Sequence, residues 1–89
     1  MPTKEEILNK VHLDIAEYAS YPKEKLKDEF ILKENPLKMD NPSLNFMTLS
    51  LRGYVKKHNS KQTLLAKEVK KSKLTVKLLG ELVFGKIKG

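Results

Sequence analysis

Few residues in this 89-residue chain have types and spacings that could support catalysis. There is no cysteine, which excludes disulfides, thiolate metal ligands and a cysteine nucleophile. The two histidines, His12 and His58, are far apart in the sequence, and neither belongs to a metal-ligand spacing. The four glycines form no phosphate-binding loop. We therefore predict that the protein is not an enzyme and works by binding or carrying another molecule.

The positive charge of the chain is concentrated in its second half. Residues 1–45 contain seven Lys and Arg against nine Asp and Glu, whereas residues 46–89 contain eleven against two. The halves carry −2 and +9, which gives the net charge of +7. A basic half indicates an anionic partner, such as nucleic acid, a phosphorylated ligand, an acidic protein or a membrane surface. A solvated, lysine-rich surface without a partner explains it equally well.

Neither a secretion signal nor a membrane span is expected. No apolar run approaches the roughly 20 residues that cross a bilayer, and the first residues lack the basic-then-apolar order of a signal peptide. We expect a cytoplasmic protein.

Residues 63–84 are similar to a helix-turn-helix, the DNA-binding motif whose second helix enters the major groove. A Leu-Ala pair at Leu65 would lie on the first helix, and Thr75-Val76 would open the second. Lys70 and Lys71 stand where the motif usually has a turn glycine and a core residue, which weakens the match. The side chains expected to face DNA are Ser72, Lys73, Thr75 and Lys77.

Apolar residues at helical spacing predict the elements that position these side chains. The first helix spans residues 3–19, starts with a capping box of Thr3 and Glu6, and stops before Tyr21-Pro22. The second helix starts at Asn41-Pro42, with asparagine as the N-cap and proline at the first helical position.

Two further helices are predicted in the basic half. Thr63 caps a short one, and Ser72 or Thr75 caps the last, which Gly85 ends. Residues 82–84 could alternatively form a short strand. Together, the predicted helices form one all-α domain over residues 1–89. We expect a small four-helix bundle with a long loop between helices one and two. Its expected core comprises Ile7, Val11, Ile15, Phe30, Leu44, Met47, Leu51, Leu65, Val69, Val76, Leu79 and Val83.

Three segments, taken in order over residues 5–84, resemble the acyl carrier protein family. Residues 5–28 resemble its first helix and following loop, Leu37-Lys38-Met39-Asp40 resembles the approach to its second helix, and residues 74–83 resemble its fourth helix. This resemblance implies a four-helix bundle that carries acyl intermediates on a 4'-phosphopantetheine arm. It also implies a phosphopantetheinyl transferase and carrier-dependent enzymes of lipid or polyketide biosynthesis as partners.

The family attaches its arm to the serine of an Asp-Ser-Leu motif, which is interrupted here as Asp40-Asn41-Pro42-Ser43-Leu44. If Asp40 matches the family's aspartate, Asn41 occupies the attachment position and no arm can be attached. If Ser43-Leu44 matches the family's Ser-Leu, Ser43 is the attachment residue after a two-residue insertion. The resemblance therefore implies either a carrier modified at Ser43 or a diverged carrier fold without the arm.

The charge of the second helix departs from the family's pattern. Family members have an acidic second helix that docks on basic enzyme patches, whereas this helix carries Arg52, Lys56 and Lys57 and no acid after Asp40. Any carrier partners of this chain are therefore expected to present acidic surfaces.

Overall fold

The structure is a computed structural model that describes residues 2–89. Within those residues the chain forms α1 (Lys4–Ala19), α2 (Asn41–His58), α3 (Ala66–Val69) and α4 (Val76–Lys88), with a 3-10 helix at Lys23–Lys25. The described part contains no β-strand, although Ile31 and Thr75 form an isolated antiparallel bridge. The predicted all-α class, with three substantial helices, one short helix and a long first connection, is confirmed.

The start of α1 follows the predicted capping box. The Thr3 hydroxyl accepts a hydrogen bond from the Glu6 backbone N–H at 3.1 Å, and the Glu6 carboxylate accepts one from the Thr3 N–H at 2.9 Å. Each interaction satisfies a donor that the first turn of a helix leaves unpaired. The helix ends at Ser20, which has a left-handed conformation with φ of 52°.

The start of α2 differs from the prediction by one residue. Asp40, not Asn41, is the N-cap, because its carboxylate accepts a hydrogen bond from the Ser43 N–H at 2.9 Å. Asn41 and Pro42 then become the first two helical residues. Both side-chain types cap well, so the identity of the residues alone did not decide between them.

The short helix α3 begins later than predicted, and Thr63 does not cap it. Leu65 is the N-cap residue, and its N–H donates to the Glu68 carboxylate at 3.0 Å.

For α4, Thr75 is the cap, and its hydroxyl accepts a hydrogen bond from the Leu78 N–H at 3.1 Å. Gly85 does not end this helix, which continues to Lys88, and the alternative strand at residues 82–84 is wrong.

Helix α1 packs against both α2 and α4, which also contact each other, and it runs antiparallel to both. Lys10 Nζ is 3.5 Å from Ser50 Oγ on α2. On the other side, Leu8 packs so closely on Gly80 that a Cβ there would lie 2.7 Å from Leu8 Cδ2. Gly80 therefore permits the close approach of α1 and α4.

The predicted core residues are buried, with two exceptions. Phe30 is only partly buried, and Leu65 is 39% exposed while its neighbour Leu64 is fully buried. Leu65 has extended backbone angles, and successive side chains of an extended segment point to opposite sides. Arg52 Nε donates a hydrogen bond to the Leu64 carbonyl at 2.8 Å, which helps to position this segment against α2.

These adjacent leucines give a matched test of the packing. We expect Leu64→Ala to lower the free energy of unfolding by about 2–5 kcal/mol, because it removes buried methyl groups and leaves a cavity. Leu65→Ala should cost less than about 1 kcal/mol, since much of that side chain is already hydrated. Urea denaturation followed by circular dichroism measures both, and equal losses would contradict this assignment of the core.

Candidate functional site

The N-terminus of α2 brings together the residues that the sequence singled out. Ser43 is partly exposed and lies in the first turn, with its backbone N–H bonded to the Asp40 carboxylate. Its hydroxyl lies near the Asp40 carboxylate. Asn41, the alternative attachment position, is fully on the surface two residues earlier. Both candidates therefore lie at one helix end, and only Ser43 has a hydroxyl.

Asp40 is held in its charged form at this helix end. Hydrogen bonding from the Ser43 backbone N–H, and the nearby Ser43 hydroxyl, lower the pKa of the Asp40 carboxyl below its usual value of 3.8. A carboxylate that accepts a hydrogen bond is favoured over the neutral acid. The arrangement places an ionised carboxylate beside a serine hydroxyl.

The connection before α2 positions this helix end through backbone hydrogen bonds. The Met39 N–H donates to the Leu32 carbonyl at 2.9 Å, and the Leu32 N–H donates to the Leu74 carbonyl at 3.0 Å. Leu32, Leu37 and Met39 are buried. The residue just before Asp40 is therefore fixed to the segment that leads into α4.

The outer face of α2 carries the two most exposed large apolar side chains among the described residues. Phe46 is 61% exposed and Leu49 is 57% exposed. They lie three residues apart, on one side of the helix. Further along this side are Gly53 and Lys56, both exposed, so the face is apolar near the candidate site and basic toward the helix end.

The segment with helix-turn-helix similarity has a different shape from that motif. Its first helix, α3, has only four residues. The first N–H groups of α4 are already bonded: Val76 donates to the Phe30 carbonyl at 2.9 Å and Lys77 to the Asp28 carbonyl at 3.1 Å. The helix end that would face a DNA phosphate is therefore occupied by the protein's own backbone.

The side chains that were expected to face DNA are only partly free. Ser72, Lys73 and Lys77 are exposed, but Lys73 Nζ lies 3.0 Å from the Glu34 carboxylate, and Thr75 caps α4. The exposed part of α4 also presents an apolar residue, Leu78.

A groove of about 680 Å³ lies where the α3–α4 turn meets the outer face of α4. We name it the leucine groove, after the three leucines in its lining. Leu78 and Leu82 belong to the apolar residues of the last helix but not to the predicted core, and only the packing shows that they line a surface depression. The lining comprises Glu68, Lys71, Ser72, Lys73, Leu74, Leu78, Glu81 and Leu82.

The two histidines are not brought together. His12 Nε2 is 4.0 Å from the Asp28 carboxylate, whereas the His58 ring makes an edge contact with Tyr54. Across residues 2–89, no three His, Asp or Glu side chains are placed to hold a metal ion. No helix in that part of the chain has the length and apolar character needed to cross a membrane.

No protein-family model, curated protein or solved structure matches this chain.

The Asp40 cap gives a pH-dependent prediction. Because the folded-state pKa of Asp40 is depressed, its stabilising effect is present above the unfolded-state value and is lost as pH falls through the lower folded value. Asn caps helices without ionising. We expect the stability difference between the native protein and Asp40→Asn to shrink or reverse as the pH falls below about 4.

Thermal unfolding of both proteins across this pH range measures the effect. A difference that stays constant from neutral to acid pH would contradict the assignment of Asp40 as an ionised cap.

Proposed function

We propose that this protein is a carrier-type helical domain that holds an acyl intermediate on a phosphopantetheine arm at Ser43 and presents it to partner enzymes. The observation that carries the proposal is the partly exposed Ser43, whose hydroxyl lies in the first turn of α2 beside the ionised Asp40. The three segments that resemble acyl carrier proteins support it.

The residues at the start of α2 fit this group at Ser43 and not at Asn41. A phosphodiester needs a hydroxyl oxygen, which the Asn41 side chain lacks. The Ser43 hydroxyl lies close enough to Asp40 to help lower the pKa of the Asp40 carboxyl. The Asp40 carboxylate can therefore orient this hydroxyl by accepting a hydrogen bond from it. The arm itself supplies a thiol that holds the acyl group as a thioester.

The outer face of α2 begins next to Ser43 and supports docking of a partner. Phe46 and Leu49 offer exposed apolar contacts one and two turns after the serine. Lys56 and Lys57 extend the face with positive charge, and the helix carries no acid that opposes them. An enzyme that acts on the arm would therefore meet this face with an apolar patch bordered by carboxylates.

Intact-mass measurement tests the attachment site. We expect the purified protein, incubated with coenzyme A and a broad-specificity phosphopantetheinyl transferase, to gain the mass of one phosphopantetheine. Ser43→Ala should abolish the gain, because the accepting oxygen is removed. Ser72→Ala, which removes an exposed serine in the α3–α4 turn, should keep it.

The variant Asn41→Ser separates the two alignments of the motif. If the native protein gains no mass but Asn41→Ser does, the chain is a diverged carrier fold whose arm has been lost. If neither protein is modified by the transferase, the carrier proposal fails.

The alternative function is that of a DNA-binding protein, with residues 63–84 as the binding segment. We expect any DNA binding by this segment to be weak. Lysines such as Lys71 and Lys77 would bind phosphates without specificity, and such binding falls steeply between about 50 and 200 mM salt. Fluorescence anisotropy with unrelated duplexes measures this. Tight binding to one sequence that persists at the higher salt, and that Lys77→Gln weakens, would favour the DNA-binding alternative.

A further inference from the structure

The leucine groove has an apolar floor that the fold covers only in part, because Leu74 is buried and Leu82 is partly buried. Leu78 and Leu82 are four residues apart in α4 and lie on one side of the helix, and Leu74 lies just before the helix begins. Leu78 is 52% exposed. Leu78 lies away from the core face of α4, which is formed by Val76, Leu79, Val83 and Ile87, whereas Leu82 also packs against the core.

The groove continues along α4 beyond Leu82. A second depression, of about 300 Å³, shares the lining residues Glu81 and Leu82 with the leucine groove and extends to Gly85 and Lys86. From Val76, where α4 begins, to Lys86 the helix advances by about 15 Å, at about 1.5 Å per residue. That length corresponds to roughly three turns of a second helix lying against α4.

The packing of the chain gives no reason for a glycine at position 85 in α4, and the same is true of Gly53 in α2. A glycine inside a helix costs stability relative to alanine. Gly80 has a structural reason, since a Cβ there would meet Leu8, but a Cβ at Gly85 would have no atom within 4 Å. A glycine at the open end of an apolar groove lets another backbone approach closely.

The charges along the groove are polarised. Its two carboxylates already have cationic partners: Glu68 lies 3.1 Å from Lys86, and Glu81 lies 3.3 Å from Lys4. Lys71, at the end near Leu74, has no ion-pair partner among the described residues. The end of the groove near Lys71 therefore favours an anionic group.

We propose that the leucine groove is a docking site for an amphipathic helix of a partner protein, whose acidic N-terminal turn lies against Lys71. Apolar side chains of the partner pack on Leu78 and Leu82, and its backbone passes close to Gly85. Acidic residues in a first turn are favourable to the partner helix itself, because the helix dipole is positive at that end. This site is independent of Ser43.

A second copy of the chain fits the groove less well. Two α4 helices packed antiparallel about a two-fold axis would bring Lys71 of each copy toward Lys86 and Lys88 of the other. Like charges at such a contact oppose association. An acidic partner removes this repulsion.

A designed peptide helix of about 14 residues, about 20 Å long, provides the probe. It carries leucines at positions i, i+4 and i+7 and glutamates in its first turn. A scrambled peptide of the same composition but without an apolar face is the control. Fluorescence anisotropy measures the affinity, and backbone amide NMR shifts locate the bound surface.

We expect saturable binding of the designed peptide, with the largest shifts at residues that line the groove. Leu78→Gln removes floor area and Gly85→Gln blocks the close approach, so each should weaken binding about tenfold or more. Leu49→Gln and Gly53→Gln are matched controls on α2, equally exposed and equally uncrowded. They should change the affinity by less than about twofold.

Gly85→Gln also separates docking from folding. Glutamine has a higher helix propensity than glycine, so the thermal midpoint should stay the same or rise while binding falls. Ser43→Ala should leave peptide binding unchanged, so this proposal and the carrier proposal fail separately.

Several results would overturn the docking proposal. These are no saturable binding, equal affinity for the scrambled peptide, and shifts centred on Phe46 and Leu49 instead of the groove. Self-association in sedimentation velocity that Gly85→Gln abolishes would identify a second copy as the occupant. The same shifts produced by dodecanoate but not by the peptide would identify a small amphiphile instead.

Discussion

The hydrogen bonds between the long first connection and the start of α4 determine where the candidate sites lie. Phe30 and Asp28 accept hydrogen bonds from the first two N–H groups of α4, and Leu32 donates to the Leu74 carbonyl. Leu32 also accepts from Met39, the residue before the Asp40 cap. The starts of α2 and α4 are therefore joined through one short segment. A connection of this length needs such anchoring, because its backbone polar groups would otherwise be buried without partners.

The predictions from sequence succeeded where one local pattern dominated. Thr3 and Glu6 form the capping box that their spacing predicts, and the apolar periodicity of α1 and α2 correctly gives most of the core. They were wrong where two local choices have nearly equal energy. Asp40 and Asn41 are both good caps, and Leu64 and Leu65 are equally apolar. Tertiary contacts, such as the bond from Arg52 to the Leu64 carbonyl, decide such cases.

The leucine groove illustrates what periodicity does not reveal. Helix α4 has apolar residues on two sides, and only one side can face the core of a bundle this small. The sequence shows that Val76, Leu78, Leu79, Leu82 and Val83 are apolar, but it does not show which of them the other helices cover. The structure shows that Leu78 is 52% exposed while Leu79 beside it is fully buried.

The backbone N–H groups at the start of α2 determine how mobile a phosphopantetheine arm at Ser43 would be. The Ser43 N–H is bonded to the Asp40 carboxylate, the Leu44 N–H is bonded to the Asp40 carbonyl, and Pro42 has no N–H. A phosphate on Ser43 would therefore find fewer free backbone donors than the start of a helix usually offers to an anion. It would also lie near the negative charge of Asp40. Both effects weaken the non-covalent contact between the phosphate and the protein surface. An arm bonded to Ser43 would therefore remain free to move between partners.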